Sequence, residues 1–424
     1  MFLERLPRID LRVPSDTAMG TEVLCTYDLL FAPVGSVFCG NAHWGLVLTD
    51  MRFAEFFAGI GLVRVGLEKV GWKCAFANDL DPKKLNMYAD QFEDWQRHYV
   101  LQDVHTLSSE QIPSVDLATA SFPCTDLSLA GGRSGLSGRY SSAFWGFIGA
   151  LKAMEHRPKL VMLENVTGFL SSHQGSDFRA ALESLGALGY DVDAFVIDAV
   201  RFVPQSRQRL FVVGILRSRA RHVRTLVGQE LESGVRPRAL AEFISSNPDL
   251  PWVIRKLPSL PSSTTTIRDV LESVPAESSE WWSETRVEYL LSQMSSLHRQ
   301  VAKQMIESPL TSYGTIFRRV RNGKSMAELR VDGIAGCLRT PKGGSGRQIL
   351  FVAGMNQRRA RLINGRECAR LMGADDFPIS GSLNQTLYGF GDAVCVPVIS
   401  WIGENYLNPA LEEIRSHQYT AAEA

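Results

Sequence analysis

The sequence predicts an α/β fold: a mostly parallel sheet covered by helices on both faces, joined by a smaller second domain. Three observations carry this. From 51 to about 215, short apolar runs alternate with segments of helical spacing. From about 217 to 330 the alternation stops, and Pro237, Pro248, Pro251, Pro258, Pro261 and Pro275 interrupt the chain. After about 336, Gly/Arg-rich loops lead to an apolar stretch over 394–402 that can rejoin the first domain. A length of 424 residues accommodates one large domain and a smaller one.

The elements follow in chain order. Residues 1–50 show weak periodicity and scattered Pro and Gly, and read as an N-terminal extension. At Met51 the character changes to Met-Arg-Phe-Ala-Glu-Phe-Phe-Ala-Gly, a strand entering a glycine turn, and the natural start is expected there. Strands are expected over 52–57, 73–77, 115–121, 159–163, 191–198 and 209–215, with another ending near Asp103. Helices are expected over 62–70, 82–91, 143–154 and 177–188. The second domain is expected to hold helices over 266–273 and 286–305, and a further helix covers 364–372. The resulting division is 1–50, 51–216, 217–335 and a return segment over 336–424.

Composition narrows the class. Basic and acidic residues balance at 45 each, so no overall polyelectrolyte character selects a partner. Arginines cluster locally, from Arg201 to Arg224 and from Arg318 to Arg370, which suits either a phosphate-facing surface or ordinary ion pairs. The seven cysteines form no CxxC pair and no zinc spacing, so no metal is expected. That usage, with no signal peptide, points to a reducing cytoplasm. No apolar run approaches the roughly 20 residues of a membrane span, and no membrane partner is expected.

Five constellations carry chemistry. Phe56-Phe-Ala-Gly59-Ile-Gly61 lies between a strand and a helix, where glycines let a ligand approach the backbone. Asp79, at the next strand end, suits ribose hydroxyls, and Asp103 an adenine amino group. This set describes a nucleoside-cofactor site for which NAD and S-adenosylmethionine both fit; a purely structural turn is the plainer reading. Phe122-Pro123-Cys124 ends a buried strand on the lip of a Gly/Ser-rich loop over 125–138, which suits a nucleophile better than an inert packing thiol. Glu164, in Leu163-Glu-Asn-Val166, also ends a strand; as a buried acid it can give a proton to a ring nitrogen. Gln205, Arg207 and Arg209 alternate along the start of a strand, facing one side, and suit a base carbonyl, a carboxylate or a phosphate. Arg339-Thr-Pro-Lys342-Gly343-Gly-Ser-Gly346 is a basic loop suited to a phosphate backbone.

In this order and spacing the motifs resemble the DNA (cytosine-5)-methyltransferase family. Phe57-Ala58-Gly59-Ile60-Gly61 is similar to its first cofactor motif, Phe122-Pro-Cys-Thr-Asp-Leu-Ser128 to its Pro-Cys motif and Glu164-Asn-Val166 to its Glu-Asn-Val motif. Gln205-x-Arg207-x-Arg209 is similar to its Gln-x-Arg-x-Arg motif, and Tyr388-Gly-Phe-Gly-Asp392-Ala393-Val394 to its last motif. The resemblance covers roughly 51–216 and 336–404. It implies a Rossmann-like S-adenosylmethionine-dependent methyltransferase sheet with a target recognition domain over 217–335.

The resemblance implies the chemistry as well. Cytosine in double-stranded DNA is flipped out, the Cys124 thiolate attacks C6, and C5 takes the methyl from S-adenosyl-L-methionine. Glu164 binds N3 and the exocyclic amine, Arg209 holds the O2 edge and Arg207 supports the pocket. Phe57 to Gly61, Asp79, Asp103, Pro123, Asp392 and Ala393 hold the cofactor. Ser128, Arg133, Gln205, Arg339, Lys342 and Gly343 face DNA, and the loop over 128–140 closes on the flipped base. A monomer is implied, working in the cytoplasm at the nucleoid, with a cognate restriction endonuclease or a phage-defence system as candidate partner. Four departures bear on cofactor affinity: Leu62 in place of glycine, Asp79 of glutamate, Thr125 of glutamine, and Asp392-Ala393 of Asn-Ser. The rival readings are the tRNA-methylating branch of the same fold, a non-catalytic DNA-binding homologue, and an NAD-dependent oxidoreductase.

Overall fold

β1 (Met51–Phe56) is buried on both faces, as a central strand of a parallel sheet must be: Phe53 points to one core and Ala54 and Phe56 to the other. The same alternation recurs in the neighbouring strands β4 (Leu117–Ala120) and β5 (Leu160–Val166). The computed structural model describes residues 50–123, 143–217, 231–321, 323–340 and 346–422. Residues 1–49 lie outside it, as do Cys124, Ser128, Arg133, Lys342 and Gly343. All described residues belong to one unit, 49–424.

With β2 (Trp72–Asp79), β3 (Tyr99–Leu101), β6 (Tyr190–Asp198) and β7 (Gln208–Leu216), these strands form a seven-stranded sheet of order β3-β2-β1-β4-β5-β7-β6. β1 to β5 run parallel, and β7 is antiparallel to both β5 and β6. The reason is connection length. Only residues 199–207 join β6 to β7, too few for the helical crossover that a parallel pair needs. The start of β7 therefore lies at the carboxyl ends of the other strands. The order 3-2-1-4-5-7-6 also departs from the 3-2-1-4-5-6 of the dinucleotide-binding fold.

Helices cover both faces. α1 (Leu62–Glu68) packs on one face, and α2 (Pro82–Gln91) begins at Asp81, whose side chain caps it by accepting from Lys83 N–H. α3 (Ala143–Ala153), α4 (Ser176–Ala187) and α5 (Arg238–Ser246) bury Phe147, Leu182 and Leu240 against the other. The stretch at 231–254 thus packs on the first sheet. Val192 N–H donates to Pro251 O and Val253 N–H to Val192 O, extending the edge beyond β6.

The helix expected over 266–273 is one turn, α6 (Ile267–Val270), closed by a Thr266–Asp269 capping box. The helix expected over 286–305 is two, α7 (Glu284–Ser292) and α8 (Ser296–Glu307). Ser283 and Ser295 each cap one by accepting a backbone N–H, and the cap at Ser295 starts the second helix. β8 (Ser312–Arg321), β9 (Lys324–Arg330), β10 (Gln348–Gly354) and β11 (Gln357–Leu362) form a second, antiparallel sheet of order β11-β10-β8-β9. One face buries Ile316, Leu329, Ile349 and Phe351 against α7 and α8; on the other, Leu350 joins the core of the first sheet. This sheet takes strands from both sides of residue 335. The chain then returns through α9 (Gly365–Leu371), α10 (Leu383–Asp392), α11 (Val396–Ile402) and α12 (Asn408–Ala422).

Candidate active site at the carboxyl edge of the sheet

The turn between β1 and α1 is built around Asp79. Its Oδ2 accepts from Gly59 N–H at 2.9 Å, and its Oδ1 accepts from Leu80 and Asp81 N–H at 2.7 and 2.9 Å. A carboxylate has about four acceptor positions, so the ribose role expected of Asp79 is left about one. The two glycines serve different ends. A Cβ at Gly61 would lie 2.4 Å from the Phe92 ring and 2.8 Å from Tyr88, so packing demands glycine there. Gly59 has φ +59° and meets only Phe57 O at 3.9 Å, so it faces open space. Ala58 and Ile60 turn inward. What the turn presents outward at its centre is bare backbone.

Beside it, Leu80, just after β2, and Leu101, the last residue of β3, are 66% and 45% exposed. Neither stands out in the sequence; for Leu80 the available signal was an apolar residue directly after a strand-end acid, and Leu101 had none. Asp103 is exposed nearby, its Oδ1 accepting from His105 N–H. Asp392 pairs with Lys84 at 3.0 Å, and Ala393 O accepts from Arg207.

The end of β4 is pinned from two sides. Phe122 packs between the rings of Phe144 and Phe169, and its carbonyl accepts from Asn165 Nδ2 at 3.1 Å. Pro123, the next residue, is exposed at the sheet edge. Cys124 follows it in sequence and lies outside the described residues.

Glu164 and Arg209 meet here. Val166 pairs with Arg209 across β5 and β7, so Glu164, two residues earlier, is a diagonal neighbour on the same face. Arg209 Nε lies 2.9 Å from Glu164 Oε1. Burial raises the Glu164 carboxyl above its ordinary value, while Arg209, Arg207 and the Ser121 hydroxyl oppose that shift. Arg207 is buried and occupied internally: it donates to Leu338 O, Gly391 O and Ala393 O. Gln205, expected at DNA, is fully buried; it donates to Leu371 O and accepts from Leu338 N–H. Its burial has a simple cause. Both ends of the amide brace backbone segments far apart in sequence, so none of it reaches a surface. Arg339 is exposed, its guanidinium 5.3 Å from the Phe317 ring centre, with Arg319 at 5.6 Å from the same ring.

A groove of about 1370 Å³ lined by Leu170, Arg201, Phe243 and Lys256 contains none of the expected site residues. Among the described residues no cluster of His, Cys, Asp or Glu is suited to a metal ion.

A model of the C-5 cytosine-specific DNA methylase family matches residues 51–408. The chain belongs to this family. The methylase is 26% identical over 414 residues to the DNA-cytosine methyltransferase of Escherichia coli K12, covering 85% of this chain and 78% of that one. It is 26% identical over 364 residues to the type II methyltransferase M.HhaI of Haemophilus parahaemolyticus, covering 84% and 94%. With M.BsuFI of Bacillus subtilis it shares 34% over 165 residues, and that match spans 39% of either chain. Among solved structures, Dnmt2 of S. pombe aligns with a TM-score of 0.55 at 18% identity, covering 86% of the methylase and 99% of that chain. The Entamoeba histolytica methyltransferase EhMeth aligns at 0.56 and 15%, covering 86% and 98%. At these identities the likeness is one of fold.

The residues at this edge have chemistry that suits S-adenosylmethionine. Gly59 leaves open space over bare backbone, where a Cβ would stand. Leu80 and Leu101 offer apolar surface for a purine, and Asp79 and Asp103 offer carboxylates for hydroxyl and amino groups.

Proposed function

We propose that the methylase transfers a methyl group from S-adenosylmethionine to C5 of a cytosine flipped out of a specific double-stranded DNA sequence, through a covalent bond between Cys124 and C6. The observation that carries this reading is the Glu164–Arg209 pair, at 2.9 Å, on the sheet edge where Pro123, the residue before Cys124 in sequence, is exposed after β4. Burial keeps Glu164 inclined to hold its proton, as a group that must give one to N3 requires. Arg209 is the charged donor suited to O2, and Arg207, tied to three carbonyls, keeps the pocket floor in place.

The Cys124 thiolate forms the S–C6 bond, and the displaced electron pair makes C5 nucleophilic while N3 takes the Glu164 proton. Bound S-adenosylmethionine supplies the electrophilic methyl group. Loss of the C5 proton to a base restores the C5–C6 double bond and expels the thiolate, and the N3 proton returns to the Glu164 carboxylate. Gly59, Asp79, Asp103, Leu80, Leu101, Pro123, Asp392 and Ala393 are the residues assigned to the cofactor. Arg339, with Ser128, Arg133, Lys342 and Gly343, is assigned to the DNA backbone. The second sheet and α7–α8 serve as the target recognition domain. Relatives named as type II methyltransferases support a restriction-modification setting with a cognate endonuclease.

Bisulfite sequencing of DNA from cells expressing the protein tests the reading. One short motif should be protected, and Cys124→Ser should lose that protection while still binding DNA. Protection by Cys124→Ser equal to wild type would overturn the mechanism. Methylation of tRNA with none of duplex DNA would transfer the protein to the RNA-directed branch.

A further inference from the structure

The other described cysteines behave as packing groups: burial pushes Cys74 and Cys395 each up to about 12 and raises Cys368 further. Cys337 differs, and its place in the fold differs too. It lies just before the Arg339 loop, half-buried, where the chain returns to the first sheet beside Gln205. Arg207 Nη1 donates to its sulfur at 3.2 Å, and Arg209 Nη2 approaches it at 3.9 Å. As a thiol it is also 3.3 Å from Leu338 O.

The Arg209 guanidinium is held at several points: Nη1 donates to Gln208 O at 2.8 Å, and the sulfur adds a support on the remaining arm of the fork. Nε meets Glu164 on one side, and Nη2 faces sulfur on the other. The sulfur is itself seated on Arg207, which three backbone carbonyls hold still. Charge reinforces the geometry. Arg207, Arg209 and Arg339 all act on this sulfur, and the Glu164 carboxyl that faces Arg209 is pushed upward by burial. Two guanidinium groups this close repel, and a polarizable sulfur between them relieves that. Burial alone would raise the Cys337 thiol, but Arg207, Arg209 and Arg339 together outweigh it and leave it below its ordinary value.

We propose that Cys337 is a positioning residue of the base pocket: by accepting from Arg207 and Arg209 it holds the Arg209 guanidinium against Glu164. The proposal rests on the reading of Glu164 and Arg209 as the pair that holds the base. Cys337 acts through Arg209 and touches no reacting atom.

The test is methyl transfer from labelled S-adenosylmethionine to duplex DNA under single-turnover conditions, with the full chain and enzyme in excess so that slow variants are measurable. Cys337→Ala is expected to slow transfer about ten-fold, with Tm and cofactor affinity unchanged. Cys337→Ser, which keeps an acceptor, should recover part of the loss; Cys337→Val, which fills the space and accepts nothing, should recover none. In an Arg209→Ala background, Cys337→Ala should change the rate less than two-fold, because the group it positions is gone. Wild-type rates for Cys337→Val, or effects of the two alanine substitutions that multiply, would overturn the proposal. Glu164→Gln in parallel separates the two readings. If it transfers at the wild-type rate, the base-pocket reading has failed; if it is inactive while Cys337→Val is normal, the positioning role alone has failed.

Discussion

Arg209 reaches Glu164 from a strand that runs opposite to the one carrying the acid, with Nε 2.9 Å from Oε1. In a wholly parallel sheet the start of the arginine's strand would lie at the far edge, a full strand length from the carboxyl ends. The antiparallel β7 turns its first residues toward the ends of β4 and β5, and the short link over 199–207 forces that direction.

Removing this cation has a defined consequence. Arg209→Ala should lower the rate of methyl transfer roughly 10- to 150-fold, about 1.5–3 kcal/mol for a hydrogen bond to a charged group. Initial rates with a cytosine-containing duplex and labelled cofactor check this. A rate within two-fold of wild type would remove Arg209 from the base pocket.

Glu55 makes stability depend on pH. It is buried in β1, its Oε2 has no hydrogen-bond partner, and burial raises its pKa to about 8, with Arg64 opposing and Glu68 and Asp79 adding. Its unfolded value is near 4.5. The stability contributed by the neutral acid is fully present below 4.5. It is lost as pH rises toward 8, because the unfolded chain ionises there and the folded one does not. Glu55→Gln should therefore match wild type in Tm at pH 4.5 and exceed it at pH 8. The gap should widen by up to about 1.4 kcal/mol for each pH step of one between those two values. Thermal melts across that range measure it, and parallel curves for the two proteins would contradict it.

The two glycines of the turn should separate fold from cofactor. Gly61→Ala drives a methyl into Phe92 and Tyr88 and should cost about 1–3 kcal/mol of stability. Gly59→Ala should cost only about 1 kcal/mol, for its left-handed backbone. It should nevertheless weaken S-adenosylmethionine binding at least ten-fold, since the methyl would occupy the open space over the backbone that the proposed cofactor approaches. Calorimetric titration beside chemical denaturation shows which loss each variant suffers.

Arg339 stands exposed over Phe317 with Arg319 on the same ring. Arg339→Ala should weaken binding to all duplex sequences alike and lower the slope of log affinity against log salt by about one. Cofactor affinity should not move. An unchanged salt slope would place Arg339 away from the phosphates.

Much of this was legible in the chain. Phe53, Leu117, Leu160 and Val213 sit in strands buried on both faces, and such strands write themselves as apolar runs. The site motifs were legible because they lie next to those runs, where an α/β sheet places its functional groups. Other features depend on contacts between distant segments. Gln205 looked like a surface residue in step with Arg207 and Arg209 until its amide proved to brace Leu371 and Leu338, 166 and 133 residues away. The division of the helix near Ser295 was hidden because apolar spacing continues through the serine that caps the second half.

The sequence by itself determined the family, the order of the strands along the chain and the motifs proposed as the site, because each is written within a few consecutive positions. The tertiary structure alone decided which of them meet. Glu164 finds Arg209 through the reversal of β7, Asp79 closes the Gly59 turn from another strand, and Cys337 comes to lie between two arginines well over a hundred positions before it. Local side-chain periodicity sets each element, but strand direction and chain return are set by connection length and by the packing of distant apolar faces. No short window of sequence contains those.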